Sequence, residues 1–309
     1  MSTTGHATRV ARVEAQGKIN LFLRILSREA SGYHQLETLF QRIALADSVT
    51  VITGGTGRAL DCSGADAGPV ERNLAWRAAV AFANAAGGPA NFRVEIAKRI
   101  PVGGGLGGGS ADAAAVLRAL NALAAKPLDE ATLAAIAFSL GSDVPYLLSP
   151  HALALATGRG ERLFPLEPLP ARAVLLAVPQ FGVSSADAFR WFAEQDASRH
   201  SGTRATLAPG RKLAWKTIAA LAANDLEGVV SARHPEIGAL RVAMHGDGVV
   251  MAQMSGSGST VFGVFEGAPS PTTTSAVERA GARVITTSTV KKVAEVKQTA
   301  TGDGQGAIW

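Results

Sequence analysis

Pro101-Val-Gly-Gly-Gly-Leu-Gly-Gly-Gly-Ser-Ala111 is the stretch that decides the fold of this chain. Six glycines fill the seven positions from Gly103 to Gly109, leaving Leu106 with the only Cβ in the run. Without Cβ atoms, backbone N–H groups can close on an anion. Upstream, Phe92, Val94 and Ile96 alternate as in a half-buried strand; downstream, 110–125 reads as an Ala-rich helix with Asp112 in its first turn. A helix starting there aims its free N–H groups and positive dipole end at the loop. Strand, glycine loop and helix N-terminus together make a phosphate cradle, and a flexible linker would not sit between such neighbours. It is not a Walker loop, because Ser110 and Ala111 stand where Gly-Lys-Ser/Thr would have to appear.

Outward from the loop, Ile19, Leu21, Leu23 and Ile25 mark a strand, and 36–45 and 48–52 continue the strand pattern to a turn region at 53–57. A helix is expected over 73–86, capped by Asn73, and another over 129–140, stopped by Gly141. Pro165, Pro168 and Pro170 mark a domain boundary, giving units at 1–165 and 166–297 and a polar tail at 298–309 that is expected to be mobile. The second unit reads as strands at 171–178, 249–253, 260–265 and 283–287, with helices at 184–194, 212–222, 226–233 and 272–282. Strands and helices mix without regular βαβ alternation, so the class is α+β.

With 309 residues the chain can bury two cores. An apolar share of 47% and a charged share of 18% exclude disorder, and no run of about 18 apolar residues suggests a membrane span. Met1 to Arg12 has no apolar run behind its basic residues, so no signal peptide is expected. The single Cys62 cannot form an internal disulfide and suits a reducing cytoplasm. The net charge of +5 comes from scattered residues such as Arg9, Arg12, Lys98, Arg99, Lys291 and Lys292, not from the stripe of a nucleic-acid binder. The six histidines lack metal-ligand spacing, and no G-x-S-x-G elbow occurs.

The loop resembles the phosphate-binding motif of the GHMP kinases (galactokinase, homoserine, mevalonate and phosphomevalonate kinases). Further blocks narrow the likeness: Gly17-Lys-Ile-Asn-Leu-Phe-Leu23, Gly32-Tyr-His-Gln-Leu-Glu-Thr38, Asn73-Leu74, Gly141-Ser-Asp-Val-Pro145, Asn224-Asp-Leu-Glu227 and Met254-Ser-Gly-Ser-Gly-Ser259. Together they are similar to the branch whose acceptor is 4-diphosphocytidyl-2-C-methyl-D-erythritol, in the non-mevalonate route to isopentenyl diphosphate. The resemblance implies an N-terminal domain like the second domain of ribosomal protein S5 and a ferredoxin-like C-terminal domain. It also implies ATP and Mg²⁺, a small-molecule acceptor, no nucleic acid or membrane partner, and a monomer or homodimer. Two positions depart from the family pattern. Gly108 and Gly109 stand where many relatives carry Mg²⁺-binding serines, which leaves Ser110 as a substitute and the metal ligands open. Ala15-Gln-Gly17 replaces the usual Ala-Pro-Ala at the strand entry.

The resemblance gives site residues as well. The ATP cradle is Pro101, Val102, Gly103, Gly104, Gly105, Leu106, Gly107, Gly108, Gly109, Ser110 and Ala111, with Asn73, Leu74 and Lys98 on the adenine side. Asp143 is the catalytic base, and Lys18 lies beside it and the attacking hydroxyl. On residues alone Asp143 reads equally as a turn or cap aspartate, Lys18 as a solvated strand-edge charge, and Asn73 and Lys98 as cap and surface residues. Asn20 shares the face of Lys18 by the two-residue period and is placed at the substrate or γ-phosphate, with a buried amide as the alternative. Tyr33, His34 and Phe189 are expected at the cytosine, where Tyr33 packed on the sheet and His34 capping the turn is the plainer reading. The Ser255–Ser259 turn reads either as a neighbour of the phosphate site or as an ordinary strand connection. Homoserine kinase, a catalytically dead sensor and an RNA-binding module are the competing functions; the last leaves Lys18 and Asp143 without a task and predicts a steep salt dependence on RNA.

Overall fold

The computed structural model describes residues 8–30, 33–65, 68–87, 91–194 and 213–300. Two antiparallel strands of 20 residues, β1 (Arg9–Arg28) and β2 (His34–Thr53), form its spine. In β1, Ala11, Val13 and Ala15 are buried while Arg12 and Glu14 face out, the period of a strand with one dry face. The pairing slips at three places, between Gln16 and Lys18, Asn20 and Phe22, and Ile25 and Ser27. Each slip re-aims the side chains that follow it. β3 (Arg58–Ser63), β4 (Phe92–Ala97), β5 (Leu153–Gly158) and β6 (Arg162–Pro165) extend the sheet beyond β2.

Four helices cover this sheet: α1 (Leu74–Ala85), α2 (Gly108–Leu123), α3 (Glu130–Leu140) and the single turn α4 (Val144–Leu148). Helix α2 is the central one, with Ala111, Ala113–Ala115, Val116, Leu117, Ala119 and Leu120 all in the core. Its small side chains let it lie close to β1 and β2. Asn73 caps α1, accepting from Ala75 N at 2.9 Å, and Asp129 caps α3, accepting from Thr132 N at 2.7 Å.

The second sheet runs in the order β10-β7-β9-β8, all antiparallel: β7 (Ala173–Val178), β8 (Val249–Met254), β9 (Val261–Phe265) and β10 (Arg283–Ser288). Helices α5 (Ser185–Ala193), α6 (Trp215–Leu221), α7 (Glu227–Arg233) and α8 (Pro235–Ala243) lie between β7 and β8, and α9 (Pro271–Arg279) between β9 and β10. That is the split βαβ order of the expected ferredoxin-like unit. One core spans both sheets: Ile19, Phe22 and Leu39 pack with Val174, Leu176, Phe262 and Val264.

The tail is not mobile throughout. Lys297–Ala300 forms β11, antiparallel to Arg9–Arg12 at the edge of the first sheet, because the open edge of β1 offers unpaired backbone groups there. Residues 301–309 lie outside the described residues, as do Gly32 and residue 212, the first of the expected helix at 212–222. Helix α6 begins only at Trp215. Strands β3, β5 and β6 and helices α4 and α8 have no counterpart in the sequence reading. Among the described residues no helix is long and apolar enough to cross a membrane.

Candidate active site

The glycine loop leaves β4 and enters α2 through Gly107, which has φ 73° and ψ 21° at the N-cap. The first helical bond runs from Ala111 N to Gly107 O (2.8 Å), so the N–H groups of Gly108, Gly109 and Ser110 have no acceptor within the helix. They open on a cavity of about 480 Å³ lined by the whole run from Pro101 to Ser110. Ala111 is the exception among the expected cradle residues. Its side chain is in the core and its N–H is spent on the helix, so it offers the cavity no donor.

Gly105 explains why the loop keeps its shape. Its φ is 73°, and a Cβ there would run into Ser255 O and lie 3.0 Å from Gly258 O. The obstacle is the Ser255–Ser259 turn, whose Ser255 hydroxyl donates to Gly105 O (3.1 Å) while Thr260 N donates to Gly104 O (3.3 Å). Asn224 braces this turn through bonds to Met254 O (2.8 Å) and Gly256 O (2.7 Å). Gly256 and Ser257 line the same cavity as the first loop. The two glycine turns are thus one wall built from both sheets.

Lys18 sits just past the first slip in β1, 4% exposed, with its backbone N bonded to Leu106 O (2.9 Å). Its ammonium donates to Asn20 Oδ1 (2.7 Å) and Gly105 O (2.8 Å) and lies 3.3 Å from Asp143 Oδ2. A Cβ on Gly107 would stand 3.1 Å from Lys18 Cγ. Lys18 is therefore no strand-edge charge, and the sheet brings it to a residue 125 positions away in sequence. Asp143 occupies the N-cap position of α4, but its side chain makes no cap bond. Its carboxylate, 27% exposed, faces Lys18 across the cavity mouth. Asn20 is buried but lines the cavity: it accepts from Lys18 and donates to Thr38 Oγ1 (2.8 Å), which donates to Phe22 O (2.7 Å). In this arrangement Asn20 aims Lys18.

Lys98 is not a surface residue. Its ammonium meets Asp47 Oδ2 and, at 2.6 Å, Asp112 Oδ2, with all three side chains at 5% exposure or less. Asp47 also accepts from Ile100 N (2.8 Å), tying the start of the glycine loop to β2. Burial pushes the Asp112 carboxyl up to about 7 against the pull of Lys98, and Asp47 pushes the same way. Lys98 stays charged, its pKa raised because the two carboxylates outweigh its own burial. The ammonium is committed to this triad, although Lys98, Asn73 and Leu74 do line the cavity. Asn73 serves as a cap at the same time.

A second cavity, of about 880 Å³, adjoins the first, sharing Leu36, Ser142, Arg159, Ser185 and Phe189 with it. Tyr33 and His34 line it. His34 stacks on Phe189 with ring centroids 5.3 Å apart and planes at 22°. The two rings already touch, so a base would stack on an outer face rather than between them. Tyr33 is 60% exposed, and the Arg159 guanidinium, ion-paired with Glu29 at 2.5 Å, lies 4.1 Å over its ring. Tyr33 is therefore not packed into the sheet. Sequence reasoning missed Arg159 and the Ser185–Ser257 hydroxyl pair (3.0 Å), which join the two cavities. A Gly-Arg-Gly turn was the one signal available for Arg159.

Among the described residues no group of three or more His, Cys, Asp or Glu side chains could hold a metal. The one unpartnered buried carboxylate oxygen nearby, Asp112 Oδ1, belongs to a carboxylate already on Lys98, which does not suit a dication. Mg²⁺ needs few protein ligands when nucleotide phosphates supply the rest. The Ser110 hydroxyl and the Asp143 carboxylate fit that requirement. The arrangement as a whole can hold polyphosphate at one end and place a lysine and a carboxylate beside its last phosphorus.

Known proteins resemble this chain over most of its length. Residues 73–149 match the GHMP kinases N terminal domain, and residues 211–284 match the GHMP kinases C terminal domain. A 4-diphosphocytidyl-2-C-methyl-D-erythritol kinase of Moorella thermoacetica is 42% identical over 258 residues, 82% of this chain and 90% of that protein. One from Anaeromyxobacter dehalogenans is 43% identical, over 82% and 80%. A crystal structure of 4-(cytidine 5'-diphospho)-2C-methyl-D-erythritol kinase superposes with a TM-score of 0.72 at 36% identity, covering 90% of this chain and 98% of that one. A homoserine kinase from Cytophaga hutchinsonii shares the fold, with a TM-score of 0.62 at 15% identity, 97% of this chain and 99% of that one.

Proposed function

This chain belongs to the 4-diphosphocytidyl-2-C-methyl-D-erythritol kinases of the GHMP superfamily, and from that premise we propose how its own residues carry the reaction. The γ-phosphate of ATP passes to the 2-hydroxyl of 4-diphosphocytidyl-2-C-methyl-D-erythritol, giving the 2-phosphate and ADP. The observation that carries the reading is the 3.3 Å approach of Lys18 Nζ to Asp143 Oδ2 at the end of the glycine loop. Phosphoryl transfer asks a protein mainly for positioning and charge compensation. The N–H groups of Gly108, Gly109 and Ser110, with the dipole of α2, hold the phosphates. The acceptor hydroxyl enters between Asp143 and the γ-phosphorus, and Asp143 accepts its proton as the O–P bond forms. Lys18 compensates the charge that develops on the transferred group, while Asn20 fixes its direction. Ser110 and Asp143, together with the nucleotide, are the residues that would hold Mg²⁺, which would supply neutralisation of phosphate charge.

The cytosine lies in the second cavity, stacked on the His34–Phe189 pair or on the open face of Tyr33. A neutral imidazole offers one donor and one acceptor to a base edge. The lone Cys62 suits the reducing cytoplasm. An ADP-release assay on purified protein against the cytidine substrate, its uridine analogue, homoserine and mevalonate tests the reading. Only the cytidine substrate is expected to turn over well, with the uridine analogue down by as much as ~10⁴-fold if it leaves buried polar groups unpaired. Equal kcat/KM for cytidine and uridine substrates would remove His34 from base recognition. Homoserine as the best acceptor would overturn the assignment.

A further inference from the structure

Arg42 is the cross-strand partner of Lys18 in the β1–β2 pairing. Two cations on one rung repel unless their heads find separate partners. Here they go to opposite ends of the same helix. Lys18 reaches Asp143, at the N-terminal end of α4. Arg42, 2% exposed, reaches the C-terminal end, where its Nη2 donates to the carbonyls of Tyr146 (3.0 Å), Leu147 (2.9 Å) and Ser149 (2.9 Å). Its Nε donates to His151 O at 3.1 Å, and its guanidinium lies 5.1 Å from the centroid of the Tyr146 ring. Burial pushes its pKa down to about 10, which leaves it charged at neutral pH.

Helix α4 has five residues, too few to stand alone. Its last carbonyls have no partner within the helix, and its negative end favours a cation. Asp143 makes no cap bond that would set its direction from its own turn. Where its carboxylate points therefore depends on where α4 is held. Phe40, two residues before Arg42 on β2, stacks on Tyr146 at 4.7 Å and secures the same turn from the side.

We propose that Arg42 is a positioning residue for the phosphoryl transfer: by gripping the C-terminal carbonyls of α4 it holds Asp143 against Lys18. This rests on the reading of Asp143 as proton acceptor. The test is a double-mutant cycle with Arg42→Met and Arg42→Lys, each alone and combined with Asp143→Asn. Turnover is counted per nucleotide-binding site by ADP titration, so that unfolded protein does not enter. Arg42→Met is expected to lower kcat about 10–100-fold, the scale for displacing a reacting group by about 1 Å. KM for ATP should stay within about 2-fold, and in the Asp143→Asn background the same change should cost less than about 2-fold, as expected of a residue acting through Asp143. Arg42→Lys keeps the charge, reaches fewer carbonyls and should recover part of the rate; it decides the matter if Arg42→Met does not fold. Equal losses in both backgrounds, or an unchanged kcat, overturn this proposal alone. Near-normal turnover of Asp143→Asn by itself overturns the Asp143 reading and this proposal with it.

Discussion

Lys18 on β1 and Lys98 just after β4 each meet aspartate, and the two meetings differ in every respect that matters to chemistry. At Lys98 one ammonium serves two carboxylates, all three groups are sealed from solvent, and the backbone of the loop is bonded into the cluster. At Lys18 the ammonium is buried but its carboxylate is 27% exposed, is not used as a cap, and faces a cavity. A sealed triad strongly resists the loss of one member, because a lone buried charge is expensive. A half-open pair can admit a third group between its members. Burial of the acid distinguishes the two pairs, and on the proposed reading of Asp143 it separates a brace from a reaction centre.

The contrast breaks most visibly at Asp143. Asp143→Asn should lower kcat by about 10²–10⁴-fold, the range for one positioned acid–base group, with ATP affinity barely changed. Isothermal titration with ATP alongside steady-state rates checks both halves, and near-normal turnover would remove Asp143 from the reaction. Lys98→Met should act in the opposite sense. It is expected to cost about 3–5 kcal/mol of folding stability in urea titration, while kcat of the protein that remains folded stays within about tenfold of the parent. If stability holds and nucleotide binding fails instead, the triad belongs to the ATP site after all. Gly107→Val tests the ground between the two lysines. Its φ of 73° and the 3.1 Å to Lys18 Cγ leave no room for a side chain, so nucleotide affinity should fall by about 10²-fold in a folded protein.

The smallest effect concerns Asp112. Its carboxyl holds a proton up to about 7 in the folded chain because burial and Asp47 oppose its ionisation, whereas an unfolded aspartate ionises near 4. The folded state therefore binds more protons through that window, and stability falls as pH rises from about 4 to about 7. Asp112→Asn should flatten this part of the Tm–pH curve, a change of about a few degrees. An unchanged slope in thermal melts at pH 5, 6, 7 and 8 would show that Asp112 is ionised throughout.

The first glycine loop was legible because everything that defines it is local: strand, six glycines and helix follow one another within 32 residues, 92–123. The ferredoxin-like order was legible only through family likeness. Local pattern alone read 19–25 as a strand where β1 runs from Arg9 to Arg28, since charged residues at Arg12 and Glu14 mask the buried Ala11, Val13 and Ala15. Asp143 read equally as a turn or a cap aspartate because Pro145 suits both, being at home early in a helix, and α4 begins there. Lys98 and Arg42 were out of reach for a different reason. A basic residue in or beside a strand looks solvated until its partners are known; Asp47 and the carbonyls of 146–151 lie far off in sequence, and Asp112, though nearer, reads as a helix first-turn acid. The two-residue period did place Asn20 beside Lys18, but only the structure shows its amide bonded to Lys18 and Thr38.

The pairing of β11 with β1 sets an order of events during synthesis. Arg9 is matched to Ala300 and Arg12 to Lys297, so the edge of the first sheet is closed by almost the last described residues. A ribosome adding about 5–20 residues per second therefore exposes the open edge of β1 for the whole interval in which the second sheet is being made. During that interval the strand that carries Lys18 is a template for any other extended chain. Arg9 and Arg12, charged and exposed on that edge, are the kind of residue that keeps such a template from recruiting a neighbour before residues 297–300 arrive.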